Sequence, residues 1–111
     1  MKKDQRLVQV AVLSELIVAV RLAELRAISQ ARDASLARLN DLRRTHDDPT
    51  LSPITAMEVS LRYERWADCR RQEINETLAR QTATWLIARE AATVALGRTQ
   101  TIKKLQAKVK P

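Results

Sequence analysis

The chain has 111 residues, a net charge of +7 and 30% charged side chains. Hydrophobic residues make up 45% but aromatic residues only 3%. The hydrophobic share excludes a wholly disordered chain. Three aromatic side chains, Tyr63, Trp66 and Trp85, are too few for the core of a compact globule, whereas seams between helices manage with Leu, Ile, Val and Ala.

The chain opens with Met-Lys-Lys and an apolar run from Leu7 to Val20 that imitates a signal peptide. Gln9, Ser14 and Glu15 interrupt the run and Arg21 ends it, short of the roughly 20 apolar residues of a membrane span. It therefore reads as the start of a helix running from about Asp4 to Arg44, in a soluble cytoplasmic protein with no membrane span. The lone Cys69 allows no intrachain disulfide and suits the same compartment. The helix carries a stripe of Val18, Leu22, Leu25, Ile28, Leu36, Leu39 and Leu42, interrupted by Arg32, at the spacing of a helix-pairing seam. Upstream, Val8, Val10, Val12, Leu13, Leu16, Ile17 and Val18 spread around nearly the whole circumference, and one partner helix covers only one side. Val8, Val12, Leu13 and Ile17 are accordingly candidate partner-binding residues. Burial of the excess by a homodimer or a third packed segment stays open.

One stretch breaks helix strongly, His46-Asp47-Asp48-Pro49-Thr50-Leu51-Ser52-Pro53, which places a turn at about 45–53. His46, Asp47 and Asp48 resemble a metal fragment, but consecutive residues cannot easily wrap one ion, and a solvated turn with no metal is the reading. Either Ser52 caps the next helix with Pro53 at its first position, or Thr55 caps it with Glu58 three residues on.

The second helix spans about 54–108. Ile74, Leu78, Gln81, Trp85, Ala88, Ala92, Ala95, Thr99 and Ile102 follow a 4-3 rhythm. Gly97-Arg98-Thr99-Gln100-Thr101 has weak helix propensity, and the helix is expected to continue through it. Arg62, Arg65, Arg70 and Arg71 surround Trp66, which reads as a half-exposed tryptophan or a protein-docking anchor, with cation–π contact to Arg62 or Arg70 as one geometry. After Glu90 no acid follows, while Arg98, Lys103, Lys104, Lys108 and Lys110 do. Arg98, Ile102, Lys103, Lys104 and Leu105 thus join the candidate partner-binding residues.

The fold these elements imply is all-α: two long helices in an antiparallel coiled-coil hairpin forming a single domain, 1–111. A tight turn would pair residues whose numbers sum to about 99, setting Leu25 against Ile74, Leu22 against Leu78 and Trp85 against Ser14 and Ala11. In that register the second helix overhangs the first from about Thr99. A hairpin offers no enclosed cleft, the only histidine sits in the turn, Cys69 lacks a base partner and one glycine cannot build a phosphate loop. No enzymatic activity, catalytic residue or cofactor is expected.

The run Leu61-Arg-Tyr63-Glu-Arg-Trp66, then Ile74-Asn-Glu-Thr-Leu78, Trp85-Leu-Ile-Ala-Arg89 and Leu96-Gly-Arg-Thr-Gln-Thr-Ile102-Lys-Lys-Leu105, resembles the FliJ family of flagellar type III export, related to the YscO-type stalks of injectisomes. The resemblance covers most of residues 54–106. It implies a chaperone-like coiled-coil stalk that inserts its paired termini into a hexameric export ATPase. Such a stalk would also contact the membrane-embedded export gate, peripheral to the inner membrane. The family's docking stripe would fall on Trp66, Arg70, Glu73 and Thr77. The alternatives are a coiled-coil scaffold or a basic nucleic-acid-binding adaptor unrelated to secretion. Glu64, Asp68 and Glu73 dilute the basic face that nucleic acid prefers.

Overall fold

A computed structural model describes residues 2–42 and 50–109. They form two helices, α1 (Lys2–Asp41, 40 residues) and α2 (Pro53–Val109, 57 residues), with no strand among the described residues. The fold is an all-α antiparallel hairpin. Arg43 and Arg44 of the expected first helix, and His46, Asp47, Asp48 and Pro49 of the expected turn, lie outside the described residues, as does Lys110.

Local chemistry accounts for the boundaries. The Ser52 hydroxyl oxygen accepts the Thr55 amide at 3.3 Å, and its carbonyl accepts the Ala56 amide at 2.8 Å. Ser52 is therefore the N-cap and Pro53 the first helical residue, the position where a missing N–H costs nothing. Thr55 instead sits inside the first turn, its Oγ1 accepting the Ser52 hydroxyl at 2.8 Å. Near the end of α1, Arg71 of α2 reaches across and donates to the Leu42 carbonyl at 3.3 Å, meeting an acceptor left over by the helix end with a cation. α2 continues through Gly97 without interruption.

The chain divides into two compact units. The terminal unit holds residues 1–29 and 83–111 and so gathers both chain ends; the turn-side unit holds 30–82. In the terminal unit, Trp85 Nε1 donates to Ser29 Oγ at 3.0 Å. Within the turn-side unit, Arg32 Nε donates to Thr82 Oγ1 at 3.1 Å and Gln81 Nε2 to the Ala31 carbonyl at 3.4 Å.

These pairs correct the expected register. Facing residues have numbers summing to about 113, not 99, a displacement of two heptads. Trp85 meets Ser29 rather than Ser14 and Ala11. Leu25, Leu22 and Val18 are placed opposite the small residues Ala88, Ala91 or Ala92, and Ala95, instead of Leu25 against Ile74 and Leu22 against Leu78. The predicted overhang after Thr99 is absent as well: Thr99 is buried and Ile102 and Gln106 are half-buried, in positions facing Ser14, Ala11 and Leu7. The tight-turn assumption caused the error. With α1 ending at Asp41 and α2 starting at Pro53, the connection is long enough for the seam to choose the register.

The seam itself is thin. Ile74, Ala88, Ala92 and Ala95 are its buried apolar residues on α2, at the expected 4-3 rhythm, with Leu42 buried just past the end of α1. Ser14, Ser35 and Thr99 are buried polar members. Two serines satisfy themselves locally, Ser14 on the Ala11 carbonyl at 2.8 Å and Ser35 on the Ala31 carbonyl at 3.3 Å. Arg32, which looked like an interruption of the α1 stripe, is half-buried in the seam and bonded across it.

Candidate partner-binding surface

With so few large side chains in the seam, the apolar residues of the terminal unit lie largely outside it. Val8, Val10, Val12, Leu13, Leu16, Ile17 and Val20 of α1 are exposed, from 46% for Val10 to 58% for Leu13 and Leu16. On α2, Leu86, Ile87, Val94, Leu96, Leu105 and Val109 are exposed too, Ile87 at 70%. The sequence expectation of more apolar surface than one partner helix covers therefore holds. Contiguous exposed apolar surface of this kind marks interaction sites.

The α1 part has two faces. Seam positions Leu7, Ala11, Ser14, Val18, Leu22 and Leu25 take one side. On the far side, Gln9, Leu13, Leu16, Val20, Ala23 and Ala27 repeat the 4-3 spacing and are all exposed. No charged residue interrupts this second stripe between Gln9 and Ala27. Between α1 and α2, Ile17, Ile87 and Val94 line an open groove rimmed by Arg21, Glu90 and Arg98. Arg21 pairs with Glu24 at 3.1 Å, both half-exposed.

Of the candidate residues, Val8, Val12, Leu13, Ile17, Arg98, Lys103, Lys104 and Leu105 come together as exposed side chains of the terminal unit. Ile102 is half-buried at a seam position and so presents less of its side chain than these. Leu16, Val20, Ile87 and Val94 were not among those candidates. Their signal lies in stripes offset from the seam: Leu16 and Val20 on α1, Ile87 and Val94 on α2.

Trp66 belongs to the turn-side unit, 56% exposed, with its ring 5.8 Å from Tyr63 at a 43° tilt. The Arg70 guanidinium engages Glu73 at 2.9 Å rather than standing ready over the indole. Thr77 Oγ1 donates to the Glu73 carbonyl at 3.1 Å, so Glu73 and Thr77 of the stripe are occupied within α2. The cation–π contact forms elsewhere, Arg89 lying 5.4 Å over Trp85. Cys69 is an exposed free thiol beside Trp66. Among the described residues, no group of three His, Cys, Asp or Glu side chains could hold a metal ion, and no helix is long and apolar enough to cross a membrane.

Comparison of the chain with protein-family models, with curated proteins and with solved structures finds no match.

Proposed function

We propose that this chain is a stalk-like, chaperone-type regulator of a type III protein-export ATPase. It works by binding through its terminal unit rather than by catalysis. The observation that carries the reading is the exposed apolar shell of residues 8–20 in the unit that also holds both chain ends. A self-sufficient hairpin has no use for that shell. Buried against a ring of partner helices, each large aliphatic side chain contributes roughly 1.5–3 kcal/mol. In this register the first turns of α1 lie beside the last turns of α2, so the terminal unit presents the α1 apolar faces and the α2 cations Arg98, Lys103 and Lys104 together. The resemblance of the second helix to the FliJ and YscO-type stalks supplies the identity of the ring and of the export gate beyond it.

The test is ATP turnover and hexamer assembly of the export ATPase from the same organism, with and without the chain. Full-length protein should raise both, and a Val12→Asp, Ile17→Asp variant should remove the effect with the hairpin intact by circular dichroism. If full-length protein changes neither quantity, the stalk reading falls. The exposed cations after Glu90 favour a second reading, a nucleic-acid adaptor. It predicts RNA binding that weakens steeply with salt and is lost on Lys103→Glu, Lys104→Glu.

A further inference from the structure

The second α1 stripe is complementary to itself. In heptad terms Arg6, Leu13 and Val20 take the a positions, and Gln9, Leu16 and Ala23 take the d positions. Two copies of α1 laid antiparallel about a two-fold axis between Leu13 and Leu16 set Leu13 against Leu16′ twice at the centre. Val20 then meets Gln9′, and the stem of Arg6 lies over Ala23′. The flanking positions follow without a clash. On one side, Val10 faces Ile17′ in the middle and Lys3 faces Glu24′ at both ends. On the other, Val12 faces Ala19′ and Gln5 faces Arg26′. The directly facing charged pair, Lys3 with Glu24′, is of opposite sign, and Glu24 would share it with Arg21 of its own chain. All of these side chains are exposed in the single chain.

A stable interface takes about 800 Å² from each partner, and Val10, Val12, Leu13, Leu16, Ile17 and Val20 are the exposed apolar side chains this face offers to it. A closed two-fold contact is also the commonest way for one patch to be covered by a second copy of the same chain.

We propose that the outer face of α1, from Lys3 to Glu24, is a homodimer interface in which two chains pack antiparallel through Leu13, Leu16 and Val20, with Lys3 and Glu24 pairing between copies. This interface stands independently of the export reading. It gives the chain a self-covered state in which Val10, Val12, Leu13, Leu16, Ile17 and Val20 are taken out of water whatever its partner.

Sedimentation equilibrium of the full chain tests it. The chain should sediment near twice 12.6 kDa at tens of micromolar. Leu13→Glu with Leu16→Glu should sediment as the monomer with helicity unchanged, since neither residue faces the α1–α2 seam. Glu24→Lys alone should raise the dimer Kd about three- to tenfold, from two lost pairs and two new repulsions. Adding Lys3→Glu should restore it. A monomer at all concentrations, or a dimer indifferent to Leu13→Glu and Leu16→Glu, overturns the interface; a dimer in which Lys3→Glu fails to rescue Glu24→Lys overturns the antiparallel pairing. A monomeric chain that still stimulates the export ATPase overturns this proposal alone. A dimer without effect on the ATPase overturns only the stalk.

Discussion

The terminal and turn-side units are built from the same two helices, yet they distribute polar and apolar groups in opposite ways. In the terminal unit the buried seam residues of α2 are the alanines Ala88, Ala92 and Ala95 with Thr99, met by Ser14 and the Trp85–Ser29 bond, and the outside is rich in exposed Val, Leu and Ile. In the turn-side unit the seam carries Arg32, Thr82, Gln81 and Ser35, and the outside is laced by Arg70–Glu73 at 2.9 Å, Arg71–Asp68 at 2.6 Å and Arg71–Glu64 at 3.8 Å. Its exposed apolar residues, Leu36 aside, lie on the first turns of α2, from Ile54 to Trp66. A thin alanine seam brings helices close but uses little of the available apolar surface, which is left for another partner. Polar groups in a seam stabilise less and specify more. Both units carry bonds that fix the register, and the terminal unit also presents a surface.

Substitutions separate the two roles. The largest expected effect is at Ala92, 2% exposed in the terminal seam: Ala92→Asp buries an unpaired carboxylate and should cost about 3–5 kcal/mol in chemical denaturation. Leu16→Asp, in the same unit but on the outer stripe, should change the stability of the single hairpin by less than about 0.5 kcal/mol. Equal losses at both positions would erase the distinction between seam and surface.

Gln81 and Thr99 sharpen the comparison. Gln81 Oε1 and Thr99 Oγ1 are buried without a hydrogen-bond partner. Thr99→Val should therefore stabilise the fold by about 1–2 kcal/mol, and Gln81→Leu, which also gives up the bond to Ala31, by less. Only Gln81→Leu should loosen the register, because its Nε2 bonds the opposite helix. Spin labels at positions 29 and 85 should report one short distance in the parent and in Thr99→Val. In Gln81→Leu combined with Arg32→Leu, a second population should appear, displaced by about 21 Å, the rise of two heptads. A single distance in every variant would show that polar seam residues do not hold the register.

Smaller effects probe the helix ends and interior. Ser52→Ala removes the α2 cap and should cost about 1 kcal/mol in thermal unfolding. Gly97→Ala should stabilise by about 0.4–1 kcal/mol, because the added methyl meets nothing within 4 Å and the unfolded chain loses freedom. Destabilisation by Gly97→Ala in the isolated chain would mean that this face is already covered.

The candidate surface was legible where it depended on composition along one helix. Val8, Val12, Leu13 and Ile17 are too many apolar residues for one seam, whichever register forms. The burial of Ile102 was not legible, because it depended on what stood opposite it. Arg32 looked like a defect in a stripe because its partner, Thr82, lies fifty residues away.

The sequence by itself determined the two helices, the break between them, the seam face of α2 and the apolar excess near the N-terminus. Each of these follows from local propensity or from a period of 3.5 to 3.6 residues, which needs no partner to be read. Only the tertiary structure decided how far the helices slide along each other. A heptad pattern repeats, so an antiparallel pair shifted by two heptads again sets seam against seam, and periodicity cannot tell the two apart. The choice rests on which side chains meet: leucines on alanines rather than on one another, Trp85 on Ser29, Arg32 on Thr82.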